Sequence, residues 1–397
     1  MYILMDRKLV YITNDPMPTG RAYGNQITKL CEAFADFGLE VELVCLGKKI
    51  ADQPDFFDYF GVKNNFVLRP VFIFDFLKLE PYLGRLSFYL QGLIFWAKLS
   101  FMKISRNSYI YTRQPEIVWL MGLRGFAVYY EDHGGTDKTN RLFLGLIKKA
   151  AGIVVINGFI KKEFVKNGIN PDNILIAPSG VDLNNFAISV SREEAIQRLN
   201  LEDKLGADLK NKKVLMYTGN FKTKGVDKGI DEILRALADL KDSGIVFLAV
   251  GGSAPEIDFY TKMADELGVK NARFLPRQSQ KDLALFQRVA DVLLMPFPEK
   301  AHYGYFMSPV KMFEYMASGR PIIASDLPSI KEVLNDKNAL LVKEGDHKDL
   351  AKGISAILGN KGLGESLAKQ ALADVGQYSW PERVKKILNF IKNEKNN

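Results

Sequence analysis

Three short strings hold side chains whose types and spacing suit chemistry on a charged, hydroxyl-bearing ligand. In SPVKMFEYMASGRPIIASD, from Ser308 to Asp326, Val310, Phe313 and Ala317 recur at helical spacing, Gly319 and Pro321 end the helix, and a short apolar strand follows. Glu314 lies on that helix. A carboxylate only accepts hydrogen bonds, so its two oxygens can take both vicinal hydroxyls of a sugar ring at once, which a lysine cannot do. In YTGNFKTKGVDKGIDEILRAL a strand, a Gly- and Lys-rich loop and a helix succeed one another. The permissive Gly219, a nearby lysine and the unpaired N–H groups of the helix start make a diphosphate cradle, with Lys224 and Lys228 as rival lysines. In AVYYEDHGGTDK, Glu131, Asp132 and His133 stand at the carboxyl end of a strand, before two glycines. There His133 can donate to a ligand hydroxyl and Asp132 can orient it.

Together these strings resemble the retaining, nucleotide-sugar-dependent glycosyltransferases of family 4, over nearly the whole chain and most densely between Ser308 and Asp326. The resemblance implies an α/β, GT-B architecture, two Rossmann-like domains with parallel sheets facing across a cleft. It also implies transfer of a sugar from a nucleotide diphosphate sugar to a glycan, lipid-linked or other small acceptor, with retention at the anomeric carbon. The implied catalytic set is His133 beside the donor sugar, Lys228 on the departing diphosphate and Glu314 on the ribose. Lys228 is preferred to Lys224 because it lies eight residues before Ala236, the family's spacing between its phosphate-binding lysine and a helix alanine. Gly219, Asn220, Lys224, Gly251, Arg277, Met307, Ser308 and Lys311 complete the donor-binding set, with the backbone N–H groups of Met307 and Ser308 toward the donor and Tyr303, Tyr305 and His302 shaping the sugar pocket. Gly20, Arg21, Gly24, Arg113 and Asp132 line the cleft on the acceptor side, an interdomain ion pair being the other reading of Arg113.

The chain departs from the family pattern at three points. Phe306 stands where a glutamate is common, eight positions before Glu314; Asn220 stands where a basic residue is frequent, a charge that Lys222 or Lys224 would supply; Arg21 and Ala22 replace paired glycines. Phe306 keeps a second reading open, a catalytically inactive sugar-nucleotide-binding or scaffold protein. A nucleotide-binding dehydrogenase would share the strand and helix alternation, but the G-x-G-x-x-G fingerprint is missing after the first strand.

Such strings need a frame to hold them. YITND, EVELVCLG, SYIYTR, AVYYEDH, AGIVVI and NILIAPSG in the first half, and VLMYTG, IVFLAVGG, ARFLP, DVLLMPF, PIIASD and NALLVK in the second, are short apolar runs separated by helical patterns or helix-opening loops. This βαβ alternation predicts parallel sheets with helices on both faces. At 397 residues the chain is long enough for two domains. The turn residues Pro178, Ser179 and Gly180 mark a boundary, giving an acceptor-binding domain over 1–178 and a donor-binding domain over 179–376. Residues 377–397 hold the helix WPERVKKILNFIKN, whose apolar face is Val384, Ile387, Leu388 and Ile391, and which the resemblance returns to the first domain.

A net charge of +8 favours anionic partners, here a nucleotide-sugar donor or an acidic membrane, and no nucleic-acid-binding signature accompanies it. Cys31 in an amphipathic helix and Cys45 in an apolar strand read as reduced core thiols of a cytoplasmic protein. The three histidines and two cysteines lack metal-ligand spacing and no Asp-x-Asp pair occurs, so no cofactor and no metal are expected. Charges at Asp6, Arg7 and Lys8 interrupt any signal-peptide core, and no window reaches about eighteen uninterrupted apolar residues. The nearest, LSFYLQGLIFWAKLSFMK from Leu86 to Lys103, is broken by Gln91 and Lys98 and reads as a buried or an interfacial helix. Around it Arg69, Lys78, Arg85, Lys98, Lys103 and Arg106 intersperse aromatics, the pattern of peripheral attachment to the anionic inner face of a membrane.

Overall fold

The computed structural model describes residues 8–47, 55–134, 140–205, 209, 211–223, 225–241, 244–298 and 300–393. The chain divides into two compact units, Met1–Pro178 with Trp380–Asn397, and Ser179–Ser379. Each is built on a parallel sheet covered by helices on both faces, which is why its strands read as apolar runs rather than alternating ones.

In the first unit the strands are β1 (Lys8–Met17), β2 (Glu40–Gly47), β3 (Val67–Val71), β4 (Ser108–Thr112), β5 (Ala127–Asp132), β6 (Gly152–Val155) and β7 (Ile174–Ile176). Their order is β3-β2-β1-β4-β5-β6-β7, with Tyr11 of β1 opposite both Leu43 of β2 and Tyr111 of β4. Strand order reverses between β1 and β4, so a crevice opens beyond the carboxyl ends of these strands. β3, VLRPV, carries a proline and an arginine and is tolerated because it lies at the sheet edge. The helix Trp380–Asn393 belongs to this unit: Val384, Ile387, Leu388 and Ile391 are buried in one cluster with Ile27, Leu30 and Phe34. The turn Val375–Tyr378 stays with the second unit, where Val181 N donates to Tyr378 O at 3.0 Å, so the return starts at Trp380 rather than at residue 377.

The second unit holds β8 (Lys213–Thr218), β9 (Lys222–Thr223), β10 (Val226–Asp227), β11 (Ile245–Gly252), β12 (Ala272–Pro276), β13 (Val292–Met295), β14 (Ile322–Ser325) and β15 (Leu340–Val342). The sheet runs β12-β11-β8-β13-β14-β15, and its order reverses between β8 and β13. Successive residues feed opposite faces: Val214, Met216, Val246 and Leu248 enter one apolar cluster, Leu215, Tyr217, Phe247 and Ala249 the other. Burying each such large side chain is worth about 1.5–3 kcal/mol, and this fixes the strand register.

Two segments read as loops hold structure. The stretch after Gly219 folds back as an antiparallel hairpin, Thr223 opposite Val226, with Gly225 at φ +78° allowing the turn. Before the Glu314 helix, Ala301–Tyr305 forms a short helix, and Tyr303 packs in the core against Phe297 at 5.1 Å instead of lining a sugar pocket. The helix Leu86–Phe101 turns a small, partly polar face inward, burying Ser87, Gln91, Phe95 and Leu99 and exposing Leu86, Phe88, Tyr89, Leu93 and Phe101. No described helix is long and apolar enough to cross a membrane.

Candidate functional site

In the second unit the residues singled out from sequence gather where strand order reverses, beyond the ends of β8 and β13. Gly219 follows β8 at φ +113°, and Gly251 is the last but one residue of β11, at φ +127°, with a Cβ position only 2.5 Å from Gly219 O. A side chain is excluded at Gly251 because the two backbones touch, whereas at Gly219 a Cβ would meet only the Lys311 side chain, with Cε at 3.3 Å, and it is the positive φ that calls for glycine. Gly229, which opens the helix Ile230–Leu240, sits at φ +96°, and a Cβ there would lie 1.7 Å from Pro296 O just past β13. The helix start is thus pressed against the sheet's switch point.

That start is not an open anion cradle. Asp227 Oδ1 accepts from Gly229 N and from Ile230 N, the latter at 2.9 Å, and Asp231 Oδ1 accepts from Glu232 N at 2.8 Å. The expected unpaired N–H groups are taken by carboxylates, as capping would predict for a sequence with aspartates here. Burial pushes the Asp227 carboxyl up to about 6, while the hydroxyl of Tyr260 donates to it. Lys228 stays at the helix mouth, half-buried, and burial lowers its pKa against the pull of Glu256. Lys222 does not supply a charge beside Asn220: its Nζ lies over the Phe259 ring at 3.8 Å. Lys224 lies outside the described residues. Asn220 turns its carbonyl to the Tyr217 hydroxyl at 2.8 Å, and Arg277 is exposed with its charge acting on Glu256.

Glu314 stands on the helix Val310–Ser318, which Tyr315 pins to the end of β8 by accepting from Thr218 N at 2.7 Å. The Glu314 carboxyl is buried, which raises its pKa to about 7, and Lys311 and a hydrogen bond from Gln287 pull it back only in part. Lys311 lies one turn earlier on the same helix face, its Nζ 3.5 Å above the Tyr217 ring. Met307 is buried in the core, and Ser308 holds Ser179, accepting from Ser179 N at 3.1 Å and from its hydroxyl at 2.8 Å.

The first unit gathers a second cluster, centred on Glu131. This fully buried carboxylate accepts from Arg113 Nη2 at 2.7 Å, from Tyr111 Oη and from His133 Nε2, and Arg383 Nη2 of the returning helix lies 3.1 Å away. Burial would raise its pKa, but Arg383 and Arg113 overcome that and hold it well below the usual carboxylate range. Glu131 is ionised, so the neutral imidazole must carry its proton on Nε2, leaving Nδ1 as an acceptor. Burial and Arg113 push His133 down to about 4, although 24% of the side chain remains exposed to a ligand.

Three expectations change here. His133 offers a hydroxyl an acceptor, not a donor; Glu131 rather than Asp132 orients it; and Arg113 is spent inside the unit on Glu131 and on Gln26, at 3.0 Å, rather than on an acceptor or an interdomain pair. Asp132 faces away, accepting from Tyr130 Oη at 2.9 Å and Gly134 N at 3.2 Å. Strand parity carries the signal that was missed: Tyr129, Glu131 and His133 share one face of β5, and Tyr130 and Asp132 the other. Gly24 is buried inside the helix Ala22–Asp36, where a Cβ would meet Thr19 Cγ2 at 2.8 Å, so it serves close packing; Gly20 and Arg21 are exposed. No group of three or more His, Cys, Asp or Glu side chains able to hold a metal occurs among the described residues.

Residues 212–360 match the family model described as glycosyl transferases group 1. This part of the chain is similar to the group 1 glycosyltransferases. It contains the candidates of the second unit from Gly219 to Glu314. Among curated relatives, an uncharacterized glycosyltransferase of Methanocaldococcus jannaschii is 23% identical over 60% of this chain and 59% of its own. A D-inositol 3-phosphate glycosyltransferase of a Nocardioides species is 26% identical over 62% of this chain and 54% of its own, so the chain spans only part of the length of these relatives. Among solved structures, HepE of Anabaena in complex with UDP aligns with a TM-score of 0.70 over 97% of this chain and 100% of its own, at 15% identity. That likeness shows the GT-B fold.

Proposed function

We propose that the protein transfers a glycosyl group from a nucleoside diphosphate sugar to a glycan, lipid-linked or other small acceptor, with retention of anomeric configuration. Glu314 carries this reading. It is a buried carboxyl at the switch point of the second sheet, in the segment that matches the group 1 glycosyltransferases, with a lysine on the preceding helix turn. Ribose hydroxyls donate to Glu314, Lys228 offsets the charge growing on the departing diphosphate, and His133 Nδ1 accepts from a sugar hydroxyl. Retention rests on the resemblance to family 4. Side-chain cations take the role that a metal ion has in other sugar transferases, so turnover should survive a chelator; loss with EDTA and return with manganese would refute this point.

The decisive experiment is a thermal-shift panel of UDP-, GDP-, TDP- and ADP-sugars, UDP-sugars first because HepE is solved with UDP. A bound donor raises the melting temperature by mass action. The donor that does so should be consumed when acceptor is added, with product of unchanged anomeric configuration. If no donor shifts the melting curve, the reading fails, and binding without hydrolysis or transfer would favour the inactive, sugar-nucleotide-binding alternative.

Peripheral attachment to the anionic inner face of a membrane, as a cytoplasmic enzyme reaching a lipid-linked acceptor, is supported by the outward face of the helix Leu86–Phe101. Phe101 there is 89% exposed, Tyr82 of the preceding short helix Glu80–Leu83 is 85% exposed, and Lys78, Arg85, Lys98, Lys103 and Arg106 are exposed with them. Arg69 is set aside from that group, since it pairs with Glu42 at 3.0 Å.

A further inference from the structure

The geometry points to Lys311 as a second cation of the diphosphate site, held over an aromatic face until the donor arrives. This rests on the donor reading given above. Lys311 Nζ is fully enclosed and has no hydrogen-bond partner among the described residues, although an ammonium normally serves three acceptors. Its neighbours are the ring faces of Tyr217 at 3.5 Å and Phe297 at 5.5 Å, and Gly219, where an added Cβ would lie 3.4 Å from Nζ. Ring faces attract a cation but do not replace its lost hydration. Neither Lys311 nor Lys228 forms an ion pair among the described residues, and Lys228 acts on Lys311 as a like charge, opposed more weakly by Glu314 and then by Asp227.

An enclosed ammonium and a half-buried one that repel each other beside a side-chain-free backbone form an arrangement that a polyanion relieves. The other cations near the end of β8 are committed elsewhere: Lys222 sits on Phe259, and Arg277 is exposed and faces Glu256. At the helix start the N–H groups of Gly229 and Ile230 are taken by Asp227. Lys311 also reaches the site from the helix that carries Glu314, so one rigid element fixes the distance between the diphosphate and ribose contacts. Burial and Lys228 push the Lys311 amine well below its usual pKa, and a diphosphate bound beside it shifts the amine back toward the ammonium, with uptake of protons from solvent.

The test compares wild type with Lys311→Met, which keeps the volume and removes the charge. UDP, GDP, TDP and ADP are titrated first into wild type; if none binds, the donor reading itself fails and Lys311 is not at issue. For a diphosphate that binds, Lys311→Met should bind at least about tenfold more weakly, the scale of one charge-assisted hydrogen bond, and the matching monophosphate should lose less. Its melting temperature without ligand should equal or exceed that of wild type, since a buried unpartnered ammonium has gone. Calorimetry at pH 8.5 in two buffers of different ionisation heat should show proton uptake on diphosphate binding in wild type, diminished in the variant. Unchanged diphosphate affinity in Lys311→Met, equal losses for mono- and diphosphate, or no proton uptake by wild type would each overturn the proposal.

Discussion

Glu314 shows how one buried carboxyl ties binding to stability. Its pKa rises from the ordinary 4.5 to about 7 because burial disfavours the charged form more than Lys311 and Gln287 favour it. A folded-state pKa above the unfolded one means that this contribution to stability is complete below about pH 4.5 and is lost as pH rises through about 7. Glu314→Gln cannot ionise, so it should match wild type near pH 4.5 and exceed it at pH 8 by up to about 3 kcal/mol, at about 1.36 kcal/mol per pKa unit. Urea melts of both proteins at the two pH values test this, and a gap that is equal at both would remove the buried-carboxyl account. Lys228 is the other decisive residue. With the N–H groups of the Ile230 helix capped by Asp227, its side chain carries the leaving-group charge without the helix's help. Lys228→Ala should slow turnover by about 10²-fold or more, as removing one transition-state donor does, and a folded variant retaining near-normal turnover would remove it from the site.

At the scale of elements, the site is legible where a string and its secondary structure coincide, and obscure where distant elements meet. Glu314, Gly319 and the strand Ile322–Ser325 follow from helical spacing and a turn, and the structure keeps them in those roles. Gly219 and Gly251 follow from strand ends. Capping by Asp227 and a phosphate cradle compete for the same N–H groups, and the string VDKG does not by itself decide between them. The Glu131 cluster is different. Strand parity places Glu131 with His133, yet nothing local brings Arg383 from the far end of the chain to the same carboxylate. Only the packing of the helix Trp380–Asn393 against the first sheet does that, through Val384, Ile387 and Ile391. The network should therefore behave as a fastener for the returning helix as well as a holder for His133. Removing the carboxylate leaves two buried guanidiniums without their partner, so Glu131→Gln should cost about 3–5 kcal/mol in urea unfolding. A loss below about 1 kcal/mol would mean that solvent already screens the cluster. The same network predicts that the His133 imidazole, held neutral down to about pH 4, shows no titration between pH 5 and 8 by NMR.

At the scale of the whole molecule, the unexplained feature is the apolar surface between β3 and β4. A helix that buries serine and glutamine while exposing Leu86, Phe88, Tyr89, Leu93 and Phe101 has its hydrophobic face turned outward, and folding alone gives no reason for that. Its surroundings select among possible covers. Lys78, Arg85, Lys98, Lys103 and Arg106 are exposed in the same segment and form no ion pair with a carboxylate among the described residues, against acidic Asp75 and Glu80. A second copy of the chain, placed on this face by a twofold axis, would bring like charges together; an anionic lipid surface would neutralise them. Each aromatic ring that leaves water is worth up to about 1.5–3 kcal/mol and each cation about 1 kcal/mol near acidic lipid, so the two terms are comparable and separable by salt. Wild type should co-sediment with vesicles rich in phosphatidylglycerol at low salt, bind less but measurably at high salt, and ignore neutral vesicles at high salt. The variant combining Tyr82→Ser, Phe88→Ser and Phe101→Ser should lose at least about tenfold in vesicle binding while its melting curve holds, since all three rings are exposed in the folded protein. Absence of binding to acidic vesicles at low salt would remove the membrane reading, and a wild-type dimer that this variant dissociates would assign the face to a second copy of the chain instead.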